Sequence, residues 1–419
     1  MLAEFAIQKI LLQRYDIAKK EKSSGAQITP EDFSGRRKCY IIDSIKNKEE
    51  LLLFRSVYRE LFYFISVFSP LQERKEFLKD RGLSQPEVDE LISIDSGGKL
   101  NHGQEVINTF KLGDFFIRIA NKASLDKVKR GVDRYLHLIF DTKIITPTPN
   151  ETAMYKAKSA AGNSACLSRQ VGASITDSNG ILLSIGWNDV PKFGGGLYQT
   201  LDEESDDAID FRCMNKGADG MCFNDDEKNI LSKALVEELV TQGLIEESKR
   251  EDSYDIIRKS NIKGLIEYSR SVHAEMHAII VGAQSTGNKM VGGKLFCTTY
   301  PCHNCARHII AAGIKEVYYI EPYQKSLCTK LHADDITEDE TQEAKVRILM
   351  FDGVAPNRYL RFFSMNDNRK SADGKGKKIK DLTTAKPKTQ LSLQAIPTLE
   401  AQAVHSLKSY GIQEREETV

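Results

Sequence analysis

The chain of 419 residues lacks any run of about 18 consecutive apolar residues, the least that a transmembrane helix needs. It also lacks an excess of charge of either sign, because 59 basic residues are balanced by 59 acidic ones. Overall electrostatics therefore give no reason to expect nucleic-acid or membrane binding. Residues 1–24 have the pattern of an amphipathic helix rather than of a signal peptide. We expect a soluble, cytoplasmic protein with no membrane partner.

Cysteine is scarce as well, with eight residues in the whole chain. Disulfide scaffolds belong mainly to small secreted domains, so these thiols are expected to be reduced or to bind metal. Cys302 and Cys305 have the Cys-x-x-Cys spacing of a metal pair. Three others lack that spacing and are either a second zinc site or, as the sequence favours, ordinary buried thiols: Cys166, Cys213 and Cys222.

The length predicts two domains and a tail, since one ordinary hydrophobic core does not extend over so long a chain. Residues 38–81 alternate short apolar runs with segments of helical period, a pattern typical of an α/β unit with parallel strands. The Pro-rich stretch 146–151 marks the boundary. We therefore predict domains at 1–148 and 149–367, followed by a basic tail, 368–419, whose low apolar content predicts disorder.

The second domain has clear local signals. Two β-rich runs, "VGASITD" and "ILLSIGWN", flank Asn179-Gly180 and predict a hairpin. Asn224, followed three residues later by Glu227, predicts the N-terminus of a long helix with a capping box. Cys297 lies in "GKLFCTT", which we predict to be a core strand.

The stretch "HAEMHAII", followed by "PCHNC", carries the chemistry. His273, Cys302 and Cys305 supply three zinc ligands at predicted helix N-termini, where thiolates are favoured. One His and two Cys leave the fourth tetrahedral position for water, which is the arrangement of a catalytic site. Glu275 is then free to move protons as the general acid and base. A structural zinc clip is the alternative, but the order of the motifs is the signature of zinc nucleobase deaminases.

Four blocks between about 150 and 325 resemble the deoxycytidylate deaminase family in order: "SACLSRQVGASI", "GILLSIGWNDVP", "HAEMHAI" and "LFCTTYPCHNCARHIIAAGIKEVYY". The resemblance implies an α/β fold, a cytidine-deaminase-like three-layer α/β/α domain with a mixed sheet that binds Zn²⁺. It also implies that Asn188 contacts the sugar hydroxyl of the substrate. The other substrate contacts that it implies are Arg169, Val171 and Ala274. A triphosphate needs additional cations, for which Lys325, Lys192 and Arg169 are candidates, with solvated surface charges as the alternative that the sequence favours.

Three segments resemble a narrower group, the bacterial anti-phage dCTP deaminases. They are "TPTPNETAMYKAKSAAGNSACLSRQVGA", "NDVPKFGGGLY" and "EPYQKSLCTKLHADDI". In those enzymes a P-loop kinase-like domain precedes the deaminase. Residues 1–148 resemble an incomplete form of it, with Asp43 expected at a strand end as a magnesium-binding residue. No G-x-x-x-x-G-K-[ST] motif occurs in the chain, so the domain is either truncated or degenerate and its ATP binding is not expected.

Four functions follow as hypotheses. The first is deamination of dCTP, together with dCMP, in anti-phage defence, and the second is a housekeeping dCMP deaminase that supplies dUMP for thymidylate synthesis. The third makes the N-terminal unit a binding module for a regulatory small RNA or a phage-derived trigger. The fourth, RNA editing, is disfavoured by the acidic run "DEESDDAID" within 194–270. The resemblance also implies a homo-oligomer.

Overall fold

The computed structural model describes residues 2–22, 28–29, 32, 38–95, 106–120, 125–200, 209–323, 326–365, 369–376, 382–388 and 395–408. The chain divides into two compact units. The first unit comprises Met1–Pro147 and Asp352–Val419, and the second unit comprises Thr148–Phe351. Residues 352–367, which the sequence placed in the deaminase domain, thus belong to the first unit. Among the described residues, no helix has both the length and the apolar character needed to cross a membrane.

The N-terminal part of the first unit is mainly helical. In chain order its elements are α1 (Leu2–Glu21), α2 (Lys48–Tyr58), β1 (Ile65–Phe68), α3 (Leu71–Asp80), α4 (Gln85–Asp95), α5 (Val106–Phe110), β2 (Phe115–Arg118) and α6 (Leu125–Phe140). Strand β1 pairs in parallel with β2. Only β1 lies within 38–81, so the parallel pair that the sequence predicted inside that segment is formed instead with a strand outside it.

The strand predicted at "CYIID" is absent, because residues 38–47 have no regular secondary structure. Ile41 is 91% exposed, so this run neither pairs nor buries its apolar side chains. Asp43 therefore does not end a strand as a magnesium-binding residue would. The kinase-like fold predicted for 1–148 is not confirmed.

The second unit is built on one sheet. Its elements are α7 (Pro149–Ala161), β3 (Gly172–Thr176), β4 (Leu182–Trp187), α8 (Phe223–Thr241), α9 (Arg250–Lys259), α10 (Ala274–Thr286), β5 (Lys294–Thr299), α11 (His303–Ala311), β6 (Glu316–Glu321), α12 (Cys328–Leu331), β7 (Ile336–Thr337) and β8 (Val346–Met350). The strand order is β4-β3-β5-β6-β8-β7. The pairs β4–β3 and β3–β5 are antiparallel, and the pairs β5–β6, β6–β8 and β8–β7 are parallel. The predicted mixed sheet and the β3–β4 hairpin are confirmed.

Two glycines show that helices cover both faces of this sheet. Ala173 and Gly186 are cross-strand partners, so Gly186 and Gly172 face opposite sides. A Cβ on Gly172 would lie 1.9 Å from the carbonyl oxygen of Ala157 in α7, and one on Gly186 would lie 2.4 Å from that of Ala274 in α10. Helices α7 and α10 therefore pack directly against opposite faces, in agreement with the predicted three-layer arrangement.

Two helix starts in the second unit differ in how well the sequence placed them. Thr148 caps α7 in a capping box with Glu151, directly after the Pro-rich stretch that the sequence predicted as the boundary. Helix α8 is capped by Cys222 instead of the predicted Asn224. The Asn224 amide donates to the carbonyl oxygen of Leu265 at 3.2 Å, so a contact distant in sequence takes the side chain away from a capping role.

The chain then returns to the first unit through β9 (Gly353–Val354), α13 (Tyr359–Phe363) and α14 (Ile396–Lys408). Strand β9 pairs antiparallel with β2 and completes a three-stranded sheet. Disorder was predicted for 368–419, and this is wrong for α14. Val404 and Leu407 are buried in a cluster with Ile7 and Phe54, because the apolar residues of α14 recur at a helical period.

Candidate metal and catalytic site

The first ligand stands at the start of α10. His273 is the N-cap residue of this helix, and the helix is held against the sheet by the close approach at Gly186. Ala274, the first residue of α10, is fully buried. Glu275 follows in the first turn and is 5% exposed. The i, i+2 spacing therefore places imidazole and carboxylate at one buried helix end.

The other two ligands stand at the start of α11. Cys302 is its N-cap residue, and its Sγ accepts a hydrogen bond from the Cys305 N–H at 3.4 Å. Strand β5 leads into this turn from the centre of the sheet. Both thiols are buried, Cys305 completely. A helix N-terminus next to two sulfurs favours the thiolate form that binds metal.

The three donor atoms converge. His273 Nδ1 lies 3.4 Å from Cys302 Sγ and 3.3 Å from Cys305 Sγ, and all three lie within 4.8 Å of one another. Zinc bonds of ordinary length in a tetrahedron separate such donors by about 3.5–3.8 Å. The residues therefore fit a zinc ion held by one nitrogen and two sulfurs.

Within the described part of the chain this is the only group of three or more His, Cys, Asp or Glu side chains that converges in this way. The second metal site that the sequence left open is not formed there by Cys166, Cys213 and Cys222. His303 lies 3.5 Å from Glu267 through Nε2 and is not part of the group.

The electrostatics of the ligands favour metal binding. A hydrogen bond with Cys305, aided by His273, lowers the pKa of Cys302 to about 4. Burial works against a charge on His273, yet the hydrogen bond with Cys302 and the charge of Glu275 raise its pKa to about 9. The hydrogen bond with Cys302 and burial raise the pKa of Cys305 well above its usual value. One thiolate is thus already stabilised at neutral pH, and a metal ion must displace the remaining protons.

Glu275 is poised for proton transfer. Burial is the main cause that raises its pKa, which brings a carboxyl group closer to the pH at which it can both accept and donate a proton. Its carboxylate shares hydrogen bonds with the thiols of Cys305 and Cys297. The sequence predicted Cys297 only as a buried strand residue. Its contact with Glu275 arises from the placement of β5 beside α10, and no local sequence signal reveals it.

The predicted substrate contacts are partly brought together. Asn188 follows β4; its Oδ1 accepts from the Val171 N–H at 2.7 Å, and its Nδ2 donates to the Arg169 carbonyl oxygen at 2.8 Å. Asn188 thereby ties down the segment that carries both residues. Lys325 lies outside the described residues. The direct nucleotide contacts of all of these residues stay predictions.

Two residues that the sequence did not assign to the site support it. Asp189 is 1% exposed, and its Oδ2 accepts from the Ala165 N–H at 2.9 Å. His277, one turn into α10, accepts a hydrogen bond through Nδ1 from the backbone N–H of Trp187 at 3.2 Å. Burial lowers the pKa of His277. A neutral His277 thus fastens the helix that carries Glu275 to the end of β4.

Comparison with known proteins agrees with this geometry. Residues 147–321 match the family model of the cytidine and deoxycytidylate deaminase zinc-binding region. This part of the chain is therefore similar to the zinc-binding region of cytidine and deoxycytidylate deaminases. Its His, Cys, Cys cluster is the fitting donor set, and zinc is its cofactor.

Two relatives that match this part of the chain are phage enzymes. The deoxycytidylate deaminase of Enterobacteria phage T4 is 27% identical over 177 residues, which are 42% of this chain and 79% of that protein. The deoxycytidylate deaminase of Enterobacteria phage T2 is 29% identical over 178 residues, 42% of this chain and 81% of that protein. The structure of a dCMP deaminase from cyanophage S-TIM5 with dCMP and dUMP is 20% identical and covers 49% of this chain and 99% of that chain. The TM-score of this match is 0.28.

Proposed function

We propose that this protein hydrolytically deaminates a deoxycytidine nucleotide, dCTP together with dCMP, and releases ammonia. The observation that carries the proposal is the convergence of His273, Cys302 and Cys305 beside the buried carboxyl group of Glu275. Three ligands leave one tetrahedral position for a water molecule. When bound, zinc lowers the pKa of such a water to about 7.

The chain's own residues then move the protons. The Glu275 carboxylate accepts a proton from the water whose oxygen adds to C4 of the cytosine, and it passes this proton to N3. A second proton, from the hydroxyl group that is now on C4, goes through Glu275 to the amino group on C4. The C4–N bond breaks, ammonia leaves, and the added oxygen becomes the C4 carbonyl of uracil. The thiol of Cys297, which is not a metal ligand, contacts the carboxylate and helps to hold it in place during both transfers.

The phosphorylation state of the substrate is the finer part of the proposal. The names of the T4 and T2 relatives favour dCMP, whereas the narrower sequence resemblance favours dCTP. Arg169 is a candidate for the additional phosphates, because its side chain is 48% exposed and lies 4.0 Å from Glu321, a long ion pair. Its backbone is fixed by Asn188, so the guanidinium projects from an anchored segment.

A side-by-side assay tests this proposal. Zinc-loaded full-length protein is given dCMP, dCDP, dCTP and CTP in turn, and the ammonia released is measured. We expect dCTP and dCMP to be deaminated, and we expect Arg169→Gln to lower kcat/KM for dCTP more than for dCMP. Lys233→Gln, which alters an exposed cation of α8, is the matched control. Turnover of none of the four nucleotides would contradict the proposal, and turnover of dCMP alone would favour the housekeeping role.

The cellular role is proposed on the same resemblance. A dCTP deaminase that acts during infection depletes the precursor pool on which phage DNA synthesis depends. Cells that express the protein should lose dCTP after infection, and cells that express Glu275→Gln should keep it. If RNA co-purifies with the protein and digestion of that RNA changes the deaminase activity, a regulatory small RNA is supported. If lysate of infected cells changes the activity and lysate of uninfected cells does not, a phage-derived trigger is supported. Sedimentation of the zinc-loaded protein tests the proposed homo-oligomer.

A further inference from the structure

The first unit has a cavity of about 230 Å³ beside the carboxyl end of β2. Its charged lining comes from three places in the chain: the last residue of β2, one face of α6 and the residue before β9. These charged residues are Arg118, Lys127, Arg130, Arg134 and Asp352. Four cations against one carboxylate give the lining a net charge of +3. The lining is therefore predominantly basic.

The local structure explains why the cations converge. Lys127, Arg130 and Arg134 recur at i, i+3 and i+7 and so share one face of α6. Arg118 ends β2 and is 9% exposed, so it reaches the cavity from the sheet. Strand and helix thus bring positive charge to one place from two directions.

Among the residues of the lining itself, one carboxylate faces four cations. The single lining carboxylate, Asp352, lies 3.2 Å from Lys127. Arg134 donates to the neutral carbonyl oxygen of Thr146 at 3.2 Å. Within the part of the chain that the structure describes, Arg130 has no ion-pair partner. Arg118 is buried and Arg134 is half-buried, whereas Lys127 and Arg130 are exposed. The cationic lining is therefore open to an anion from solvent, which it attracts.

We propose that this cavity binds the phosphate group or short polyphosphate chain of a small phosphorylated molecule. Arginine predominates in the lining, and its planar fork of N–H donors matches phosphate oxygens. The volume is below the roughly 300–1,000 Å³ of pockets that enclose a drug-sized ligand. The cavity therefore holds the phosphate end and leaves the rest of the molecule outside. This is a second ligand site, separate from the proposed deamination.

Calorimetric titration of the zinc-loaded full chain at low ionic strength tests the proposal with inorganic phosphate, tripolyphosphate and ATP as probes. Arg130→Gln should weaken binding about tenfold, the order expected for one charge-assisted hydrogen bond. Lys129→Gln is the matched control, because Lys129 is an exposed cation of α6 that does not line the cavity. Asp352→Asn should tighten binding, since it removes the only lining carboxylate and releases Lys127 from its ion pair.

The probes distinguish the sources of the phosphate. Equal affinity for tripolyphosphate and ATP identifies the polyphosphate chain as the ligand, and tighter binding of ATP identifies a nucleotide whose base lies outside the cavity; both support the proposal. Absence of saturable binding by all three probes would overturn it. Equal losses in Arg130→Gln and Lys129→Gln would do so as well, because the attraction would then be a general effect of charge. Deaminase activity should be the same in both variants without a probe, so failure here is distinguishable from failure of the proposed function.

Discussion

The two units hold their chemically active side chains in different ways. In the second unit the donors are short side chains at the first residues of two helices, and the helices are fixed by backbone contacts such as that at Gly186. In the first unit the cations are long side chains along α6, and Lys127 is 54% exposed. Short donors on rigid elements suit a metal with fixed bond lengths. Long cations with mobile stems suit an anion whose size varies.

The largest effect is expected where the rigid arrangement loses a donor. Cys302→Ser removes one of the two sulfurs and the hydrogen-bond partner of His273, so zinc and activity should be lost together. Elemental analysis of the purified protein measures the zinc per chain. Cys39→Ser, which changes an exposed cysteine of the first unit, should keep both. A Cys302→Ser protein with full zinc content would show that the metal is held elsewhere.

A second substitution separates holding the metal from using it. Glu275→Gln leaves the three donors in place but removes the group that moves protons, so turnover should fall about 10²–10⁴-fold while zinc is retained. Turnover of the preferred nucleotide and zinc content are measured on the same sample. Substantial activity in this variant would contradict the role assigned to Glu275. The assignment of the three zinc ligands would not be affected.

The rigidity itself can be tested at the sheet. A Cβ on Gly186 would meet the Ala274 carbonyl oxygen and the Ala278 nitrogen, each at 2.4 Å. Gly186→Ala should therefore destabilise the protein by about 1–3 kcal/mol or more and displace the helix start that carries His273 and Glu275. Chemical denaturation measures the stability, and zinc affinity measures the displacement. Gly264→Ala, at a position with open space around it, should leave both unchanged; equal effects would mean that the close approach does not position the site.

The same contrast explains what the sequence could predict. The zinc ligands and Glu275 were found from residue type and spacing, because metal chemistry restricts both and each pair lies within one helix start. The hairpin around Asn179-Gly180 was also a local signal. The contact of Cys297 with Glu275 and the anchoring of Val171 by Asn188 depend on strand pairing and helix placement. These contacts join residues far apart in sequence, so no local pattern contains them.

The errors lie mostly in the first unit. Residues 39–43 have the composition of a strand, but Phe115–Arg118 took the place beside β1, and Ile41 remained in solvent. In the tail, the basic residues hid the helical period that begins at Ile396. Both errors arose because partners distant in sequence decide whether an apolar run is buried. The cationic cavity has no local sequence signal for the same reason, since its lining residues Arg118 and Asp352 are 234 positions apart (352 minus 118).

The smallest expected effect concerns how α10 is fastened, and it depends on pH. Burial lowers the pKa of His277 in the folded chain, while the unfolded chain has the ordinary value of about 6.5. Below about pH 6.5 the unfolded state therefore binds a proton that the folded state resists, so this residue makes stability fall as the pH decreases, by at most about 1.4 kcal/mol per pH unit. His277→Gln keeps an acceptor for the Trp187 N–H but does not titrate, so it should lack this part of the pH dependence. Denaturation of both proteins at pH 5, 6 and 7 gives the difference, in which the acid sensitivity of the zinc ligands cancels because both proteins contain them. Identical pH profiles would mean that His277 is not held neutral by burial.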